Sequence, residues 1–108
     1  MLTEGPARWL HTAGVVPTAP DGSVPVDLAS QATQVWANIA AILSEAEMSG
    51  GDVISVTTYV VTGEELAPVM RARDAFLDNR RVASTLVTVP ALARPEWRVE
   101  IAIVAAAP

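Results

Sequence analysis

The chain has 108 residues, enough for one hydrophobic core and too few for two, so we predict a single domain over residues 1–108. Apolar residues make up 51% of it and the formal net charge is −5, which predicts a folded domain and disfavours nucleic acid as a partner. Cysteine is absent, which excludes disulfides and thiolate metal ligands and fits a cytoplasmic protein. No apolar run reaches the roughly 18 residues of a membrane helix, and the N-terminus does not resemble a signal peptide.

The mean hydropathy of the chain, +0.35, is high for a protein of this length. A small monomer has too little interior to bury that much apolar surface. We therefore expect copies of the chain to share an apolar interface.

The N-terminal part predicts short strands. Residues 7–14 predict a strand that ends at a glycine. Asp21 and Gly22 predict a hairpin turn whose return strand is residues 24–26.

A long helix follows. From Leu28 to Met48 apolar residues recur every three or four positions, which predicts an amphipathic helix. Asp27 suits its N-cap, and the glycines at 50 and 51 suit a left-handed cap at its end.

The most regular strand signal is Val53–Val61, which is rich in β-branched residues. Strict alternation along it puts Val53 on the face opposite to Val56. The whole stretch predicts a strand inside the sheet.

A second helix begins near Leu66 or Ala67, because Pro68 is tolerated only in the first turn, and it runs to about Asp78. Residues 80–89 and 97–106 predict the last two strands. The order of elements predicts an α+β sandwich, a mixed sheet with two helices on one face.

Glu100 is the charged residue inside the last of these strands. Alternation puts Val99, Ile101, Ile103 and Ala105 on one face, and Glu100, Ala102, Val104 and Ala106 on the other. Since both faces are otherwise apolar, the pattern predicts a strand covered on both sides. A carboxylate there is unfavourable without a partner, so Glu100 marks either a structural ion pair or a functional site.

Two other polar residues each have two interpretations. Arg73 interrupts the apolar stripe of the second helix, and it either extends its guanidinium to solvent over a packed stem or points into a cleft. His11, the single histidine, is either a hydrogen-bonded strand residue or an acid or base that lines a cleft.

Taken in order, five segments resemble the RidA (YjgF-like) family of reactive intermediate deaminases over nearly the whole chain. They are LHTAG at 10–14, the spaced polar residues Gln31, Gln34 and Asn38, DVISVTTYV at 52–60, RVASTLVTV at 81–89, and VEI with its following apolar run from 99.

The resemblance implies a chorismate-mutase-like (RidA-like) fold and a homotrimer whose sheets form a central barrel with three clefts between subunits. In the family these clefts hydrolyse enamine or imine intermediates to a 2-oxo acid and ammonia. An arginine binds the carboxylate of the substrate and a glutamate positions the attacking water, roles that suit the two side chains.

Position by position, the resemblance to the family's site is partial. The family's glutamate corresponds to Glu100, but its arginine is replaced by Ser84. Its helix asparagine and the tyrosine that follows are replaced by Met70 and Arg73, and a hydroxyl or thiol position by Leu86. The shortened N-terminal turn is residues 5–7.

The resemblance therefore implies Glu100 as the catalytic residue, and we expect Arg73 to be a candidate for the missing guanidinium. The residues expected at the substrate are Ser84, Thr85, Arg73, Ala13, Gly14, Met70 and Leu86.

Other chemistries find no support in the sequence. It contains no glycine-rich phosphate loop, nucleophile elbow or histidine pair, so no cofactor and no metal are expected. Two functions stay open: a homotrimeric hydrolase of a small imine or enamine that uses Glu100, or a non-catalytic trimer that binds a small metabolite or serves as a biosynthetic accessory.

Overall fold

The computed structural model describes residues 1–5 and 8–108. Its elements are β1 (Arg8–His11), α1 (Leu28–Glu45), β2 (Val53–Val61), α2 (Ala67–Phe76), β3 (Ala83–Val89) and β4 (Val99–Ala107), with a short 3-10 turn at Gly50–Asp52. The four strands form one sheet in the order β1-β4-β2-β3. The β2 and β3 strands are parallel and the other two pairs are antiparallel, so the sheet is mixed. The predicted α+β fold class is confirmed.

The core lies between the helices and one face of the sheet. From α1, Val35, Ile39 and Leu43 are buried. They pack in one cluster with the side chains at alternate positions of β4, which are Val99, Ile101, Ile103, Ala105 and Ala107. Each buried valine, leucine or isoleucine side chain among them contributes about 1.5–3 kcal/mol. We call this the inner face of the sheet, and the face that carries Trp9, Tyr59, Val87, Glu100 and Val104 the outer face.

Helix α2 is attached to the core through α1. The rings of Trp36 and Phe76 stack with their centroids 4.6 Å apart. Val69 is the buried residue of α2. As predicted, Pro68 lies in the first turn, where its missing N–H costs nothing.

The start of α1 is confirmed and its end is different from the prediction. The Asp27 carboxylate accepts a hydrogen bond of 2.9 Å from the Ser30 N–H. The helix ends at Glu45, and Glu47 takes the left-handed conformation with φ of 56°. The N–H of Met48 returns to the carbonyl of Leu43 at 2.8 Å, so a Schellman turn forms before the glycines.

The predicted hairpin around Asp21 and Gly22 is a turn without a return strand. The Ala19 N–H donates one backbone hydrogen bond of 2.8 Å to the Ser23 carbonyl oxygen. Residues 24–26 are not part of a strand. Proline at positions 17, 20 and 25 removes the donors that a strand would need. The first strand ends at His11, not at Gly14, and the predicted strand residue Ala7 lies outside the described residues.

The alternation predicted for the two central strands holds except at one place. Val56, Thr58 and Val60 are buried on the inner face. Val53 is also fully buried, because the register with β4 shifts between Val53 and Ser55. This bulge adds one residue and returns Val53 to the face of Val56, so the prediction for Val53 is wrong.

The last strand is covered on one side only within one copy of the chain. The outer-face residues of β4 alternate with buried ones and are partly exposed. The prediction of a strand covered on both sides is thus fulfilled on the inner face alone. In residues 1–5 and 8–108, no helix is long and apolar enough to cross a membrane.

Candidate functional site

Glu100 lies on β4 and points to the outer face of the sheet. The residues on either side of it, Val99 and Ile101, are fully buried on the inner face. Its direct cross-strand neighbour is Tyr59 of β2. Directly opposed residues on an antiparallel pair have Cβ atoms about 4.5–5.5 Å apart. Phenol and carboxylate therefore share one patch of the outer face.

The Glu100 carboxylate makes no hydrogen bond and no ion pair with the residues that the structure describes. It is partly exposed. The carboxylate therefore has no cationic partner in the described part of the chain, and the interpretation of Glu100 as half of a structural ion pair within one copy is not supported. A carboxylate left open on a largely apolar surface can accept a proton from water or from a ligand.

Gly14 lies against the Glu100 side chain. A Cβ atom added at Gly14 would overlap the Glu100 carboxylate, so a larger residue there would displace this flexible side chain. The segment is fixed by backbone hydrogen bonds of 2.7 and 3.0 Å between Val15 and Ile101. Thr12 adds a side-chain bond of 2.9 Å from the N–H of Ile103. The structure thus brings the Ala13-Gly14 turn to Glu100.

Ser84 lies on β3 and points to the inner face. It pairs with Val56, which is buried against the helices. The Nη1 atom of Arg73, on α2, is 3.4 Å from the Ser84 hydroxyl oxygen. The Arg73 side chain is 21% exposed, so it is only partly open to solvent. Arg73 therefore places a guanidinium beside Ser84.

Asp74 orients the Arg73 guanidinium. Its Oδ1 atom accepts hydrogen bonds from Nε and Nη2 of Arg73 at 3.0 and 2.9 Å. These two bonds leave Nη1 directed to Ser84. A surface pocket of about 340 Å³ opens at this point. Its lining residues are Arg73, Asp74, Leu77, Asn79, Arg80, Arg81, Val82 and Ser84; we call it the arginine pocket.

The expected site residues form two groups on opposite faces of the sheet. Ser84 and Leu86 occupy the inner face, with Met70 one helical turn before Arg73 on α2. Met70 is 41% exposed, and Leu86 packs against the core. Thr85 pairs with Thr57 and shares the outer face with Glu100. Within one copy of the chain, the arginine pocket and Glu100 are thus separated by the sheet.

Sequence reasoning did not assign Tyr59, Arg80 or Arg81 to a site. The proximity of Tyr59 to Glu100 follows from the β2–β4 register, which the sequence does not specify. The sequence did contain a hint of the arginine pocket. The densest basic grouping of the chain consists of Arg71, Arg73, Arg80 and Arg81. His11 is exposed on β1 beside Val104, away from both groups.

Comparison with known protein families shows to which family the chain belongs. The family model described as endoribonuclease L-PSP matches residues 4–107. The chain belongs to this family, which is also called RidA or YjgF. The resemblance inferred from its five segments is confirmed.

Relatives of this RidA-family chain include a named deaminase and proteins of known structure. A 2-iminobutanoate/2-iminopropanoate deaminase of Escherichia coli is 32% identical over 101 residues, which cover 93% of this chain and 79% of that one. Among solved structures, a Rid-family protein of unknown function from Yersinia pestis, YyfB, superimposes with a TM-score of 0.84 at 32% identity, covering 94% and 80% of the two chains. TdcF of Escherichia coli, crystallised with bound serine, superimposes with a TM-score of 0.86 at 25% identity, covering 99% and 85%.

Proposed function

We propose that this RidA-family protein hydrolyses a small imine or enamine, with Glu100 as the residue that positions and deprotonates the attacking water. Family membership and the similarity to an imine deaminase support a role connected with reactive intermediates. The observation that carries the finer proposal is the Glu100 carboxylate, which has no partner among the described residues and lies against Gly14.

The proposed reaction needs a base, an acid and a binding group for the substrate. Glu100 accepts a proton from water while the water oxygen bonds to the imine carbon, and it passes this proton to the imine nitrogen. The resulting carbinolamine carries hydroxyl and amino groups on that carbon. Glu100 then moves the hydroxyl proton to the amino nitrogen as the carbon–nitrogen bond breaks, so that ammonia departs and a 2-oxo acid remains. One water is consumed for each imine, and the carboxylate is regenerated.

A cleft between two copies is part of this proposal. Since Glu100 and Ser84 occupy opposite faces of the sheet, one copy alone does not bring both to one ligand. The outer face carries exposed apolar side chains, with Trp9 53% and Val87 41% exposed. Burial of these side chains against a second copy favours a homo-oligomer. We propose the homotrimer that the family resemblance implies.

The carboxylate of the substrate would bind at the Ser84 side of the cleft. Arg73 is the guanidinium available there, and its Nη1 is not used by Asp74. The Ser84 and Thr85 hydroxyls, Ala13-Gly14 and the side chains of Met70 and Leu86 would line the remainder. A guanidinium pairs with a carboxylate through parallel hydrogen bonds, which fixes the orientation of the substrate.

The direct test is the lifetime of an imine. An amino-acid oxidase would generate 2-iminobutanoate, and its disappearance would be followed with and without the purified protein. We expect acceleration by the wild type and a loss of about 10²-fold or more in Glu100→Gln. Glu96→Gln is the matched control, because Glu96 is exposed in the loop before β4. No acceleration by the wild type, or full activity in Glu100→Gln, would contradict the proposal.

A second candidate function is favoured by Ser84. Ser84 stands where the resemblance places the family's arginine on β3. A trimer that only binds a ligand would keep the cleft and would not need this arginine for catalysis. It would bind a 2-oxo acid and leave the lifetime of the imine unchanged. The same assay, combined with a titration of the 2-oxo acid, separates this function from the first.

A further inference from the structure

The arginine pocket concentrates positive charge in an acidic protein. The chain has a net charge of −5 and its seven basic residues are all arginines. Three of them, Arg73, Arg80 and Arg81, line this one pocket, whereas Asp74 is the single acidic residue among the described residues that line it. A local excess of positive charge on an acidic surface attracts small anions.

The three guanidinium groups differ in how their donors are used. Arg73 is paired with Asp74, which balances its charge. Arg80 donates from Nη2 to the carbonyl oxygens of Gly50 and Val53 at 2.6 and 3.1 Å, so it is held in place by uncharged acceptors. Arg81 has no hydrogen bond and no ion pair with the described residues. Two positive charges of the pocket are thus uncompensated.

We propose that the arginine pocket binds the second carboxylate of a dicarboxylic ligand, so that the substrates of this protein are acidic 2-imino acids. This inference rests on the proposed function. Nη1 of Arg73 takes the carboxylate next to the imine, at Ser84. Arg81, which lines the same pocket, takes the carboxylate at the far end of the side chain.

The dimensions and chemistry of the pocket fit such a ligand. Its volume of about 340 Å³ is at the low end for ligand sites and is sufficient for a chain of four or five carbons. Ser84, which is short, leaves room where the family places a long side chain. The Ser84 hydroxyl and the Asn79 amide add neutral donors to the wall.

Binding of reaction products tests the inference without any need for turnover. Calorimetric titration would compare 2-oxoglutarate, a dicarboxylate, with 2-oxobutanoate, a monocarboxylate. We expect the dicarboxylate to bind at least about tenfold more tightly, because a second charge-assisted contact contributes that much or more. We expect Arg81→Gln to remove this preference. Arg94→Gln, which changes an exposed arginine outside the pocket, should retain it.

Equal affinity for the two acids would overturn the inference, and so would an unchanged preference in Arg81→Gln. Hydrolysis of 2-iminobutanoate and 2-iminoglutarate, measured beside binding, keeps the two claims apart. A dicarboxylate preference without hydrolysis supports the pocket and contradicts the proposed reaction. Hydrolysis of both imines at the same rate supports the reaction and overturns the dicarboxylate pocket.

Discussion

At the scale of single residues, Gly14 and Glu100 depend on each other. The Glu100 carboxylate occupies the volume that any side chain at position 14 would need. The turn that carries Gly14 cannot retreat without loss of the backbone hydrogen bonds between Val15 and Ile101. Glycine at position 14 is therefore explained by the position of the Glu100 carboxylate, because the φ angle of Gly14 is not in the range that favours glycine.

Gly14→Ala is expected to move the carboxylate and keep the fold. The overlap falls on the mobile end of a side chain, so we expect the free energy of unfolding to change by less than about 1 kcal/mol. Hydrolysis should fall at least about tenfold, because water is no longer positioned. Gly51→Ala is the matched control, since its nearest neighbour, the Ser49 hydroxyl oxygen, would be at an ordinary 3.6 Å. Equal activity in the two variants would contradict this role of Gly14.

At the scale of secondary-structure elements, the N-terminus of α1 is stabilised by a charge. The hydrogen bond from the Ser30 N–H lowers the pKa of the Asp27 carboxyl below its ordinary value of 3.8. A carboxyl whose pKa is lowered on folding stabilises the protein above its unfolded pKa. This contribution is lost as the pH falls through the folded pKa. It should be complete at neutral pH and begin to be lost below about pH 4.

Two substitutions at Asp27 separate the hydrogen bond from the charge. Asp27→Ala removes the cap and should lower the melting temperature at pH 7 by a few degrees. Asp27→Asn keeps an acceptor for the Ser30 N–H and loses the charge, so its melting temperature at pH 7 should lie between those of the wild type and Asp27→Ala. The difference between wild type and Asp27→Asn should change between pH 5 and pH 2. A difference that does not vary with pH would contradict the assigned pKa shift.

The elements could be predicted from the sequence where a local pattern determines them. The N-cap at Asp27, the position of Pro68 and the alternation along β4 are all local. The end of α1 could not be predicted, because Glu47 adopts a conformation that ordinarily favours glycine. The bulge after Val53 depends on the pairing of two strands that are distant in sequence.

The sequence supplied candidate residues for the site but not their arrangement. The resemblance pointed to Glu100 and to the loss of arginine at position 84. The contact between Arg73 and Ser84 depends on how α2 lies over β3, which no local pattern encodes. The placement of Ser84 and Glu100 on opposite faces depends on the register of three strands.

At the scale of the whole molecule, one face of the sheet is left uncovered by the helices. The helices cover the inner face, while the outer face keeps apolar side chains such as Trp9 and Val87 exposed. The same face carries Glu100, so association of copies through it would enclose the carboxylate. Enclosure excludes bulk water and strengthens the electrostatic contacts of a bound ligand.

The most direct test of the account is complementation between two variants, Glu100→Gln and Arg73→Gln. Each is expected to be nearly inactive alone. If a site combines Glu100 of one copy with Arg73 of another, random reassembly of a 1:1 mixture restores both residues in about a quarter of the clefts. We predict recovery of imine hydrolysis to about that fraction of the wild-type rate. A mixture that stays as inactive as its separate components would contradict a site shared between copies.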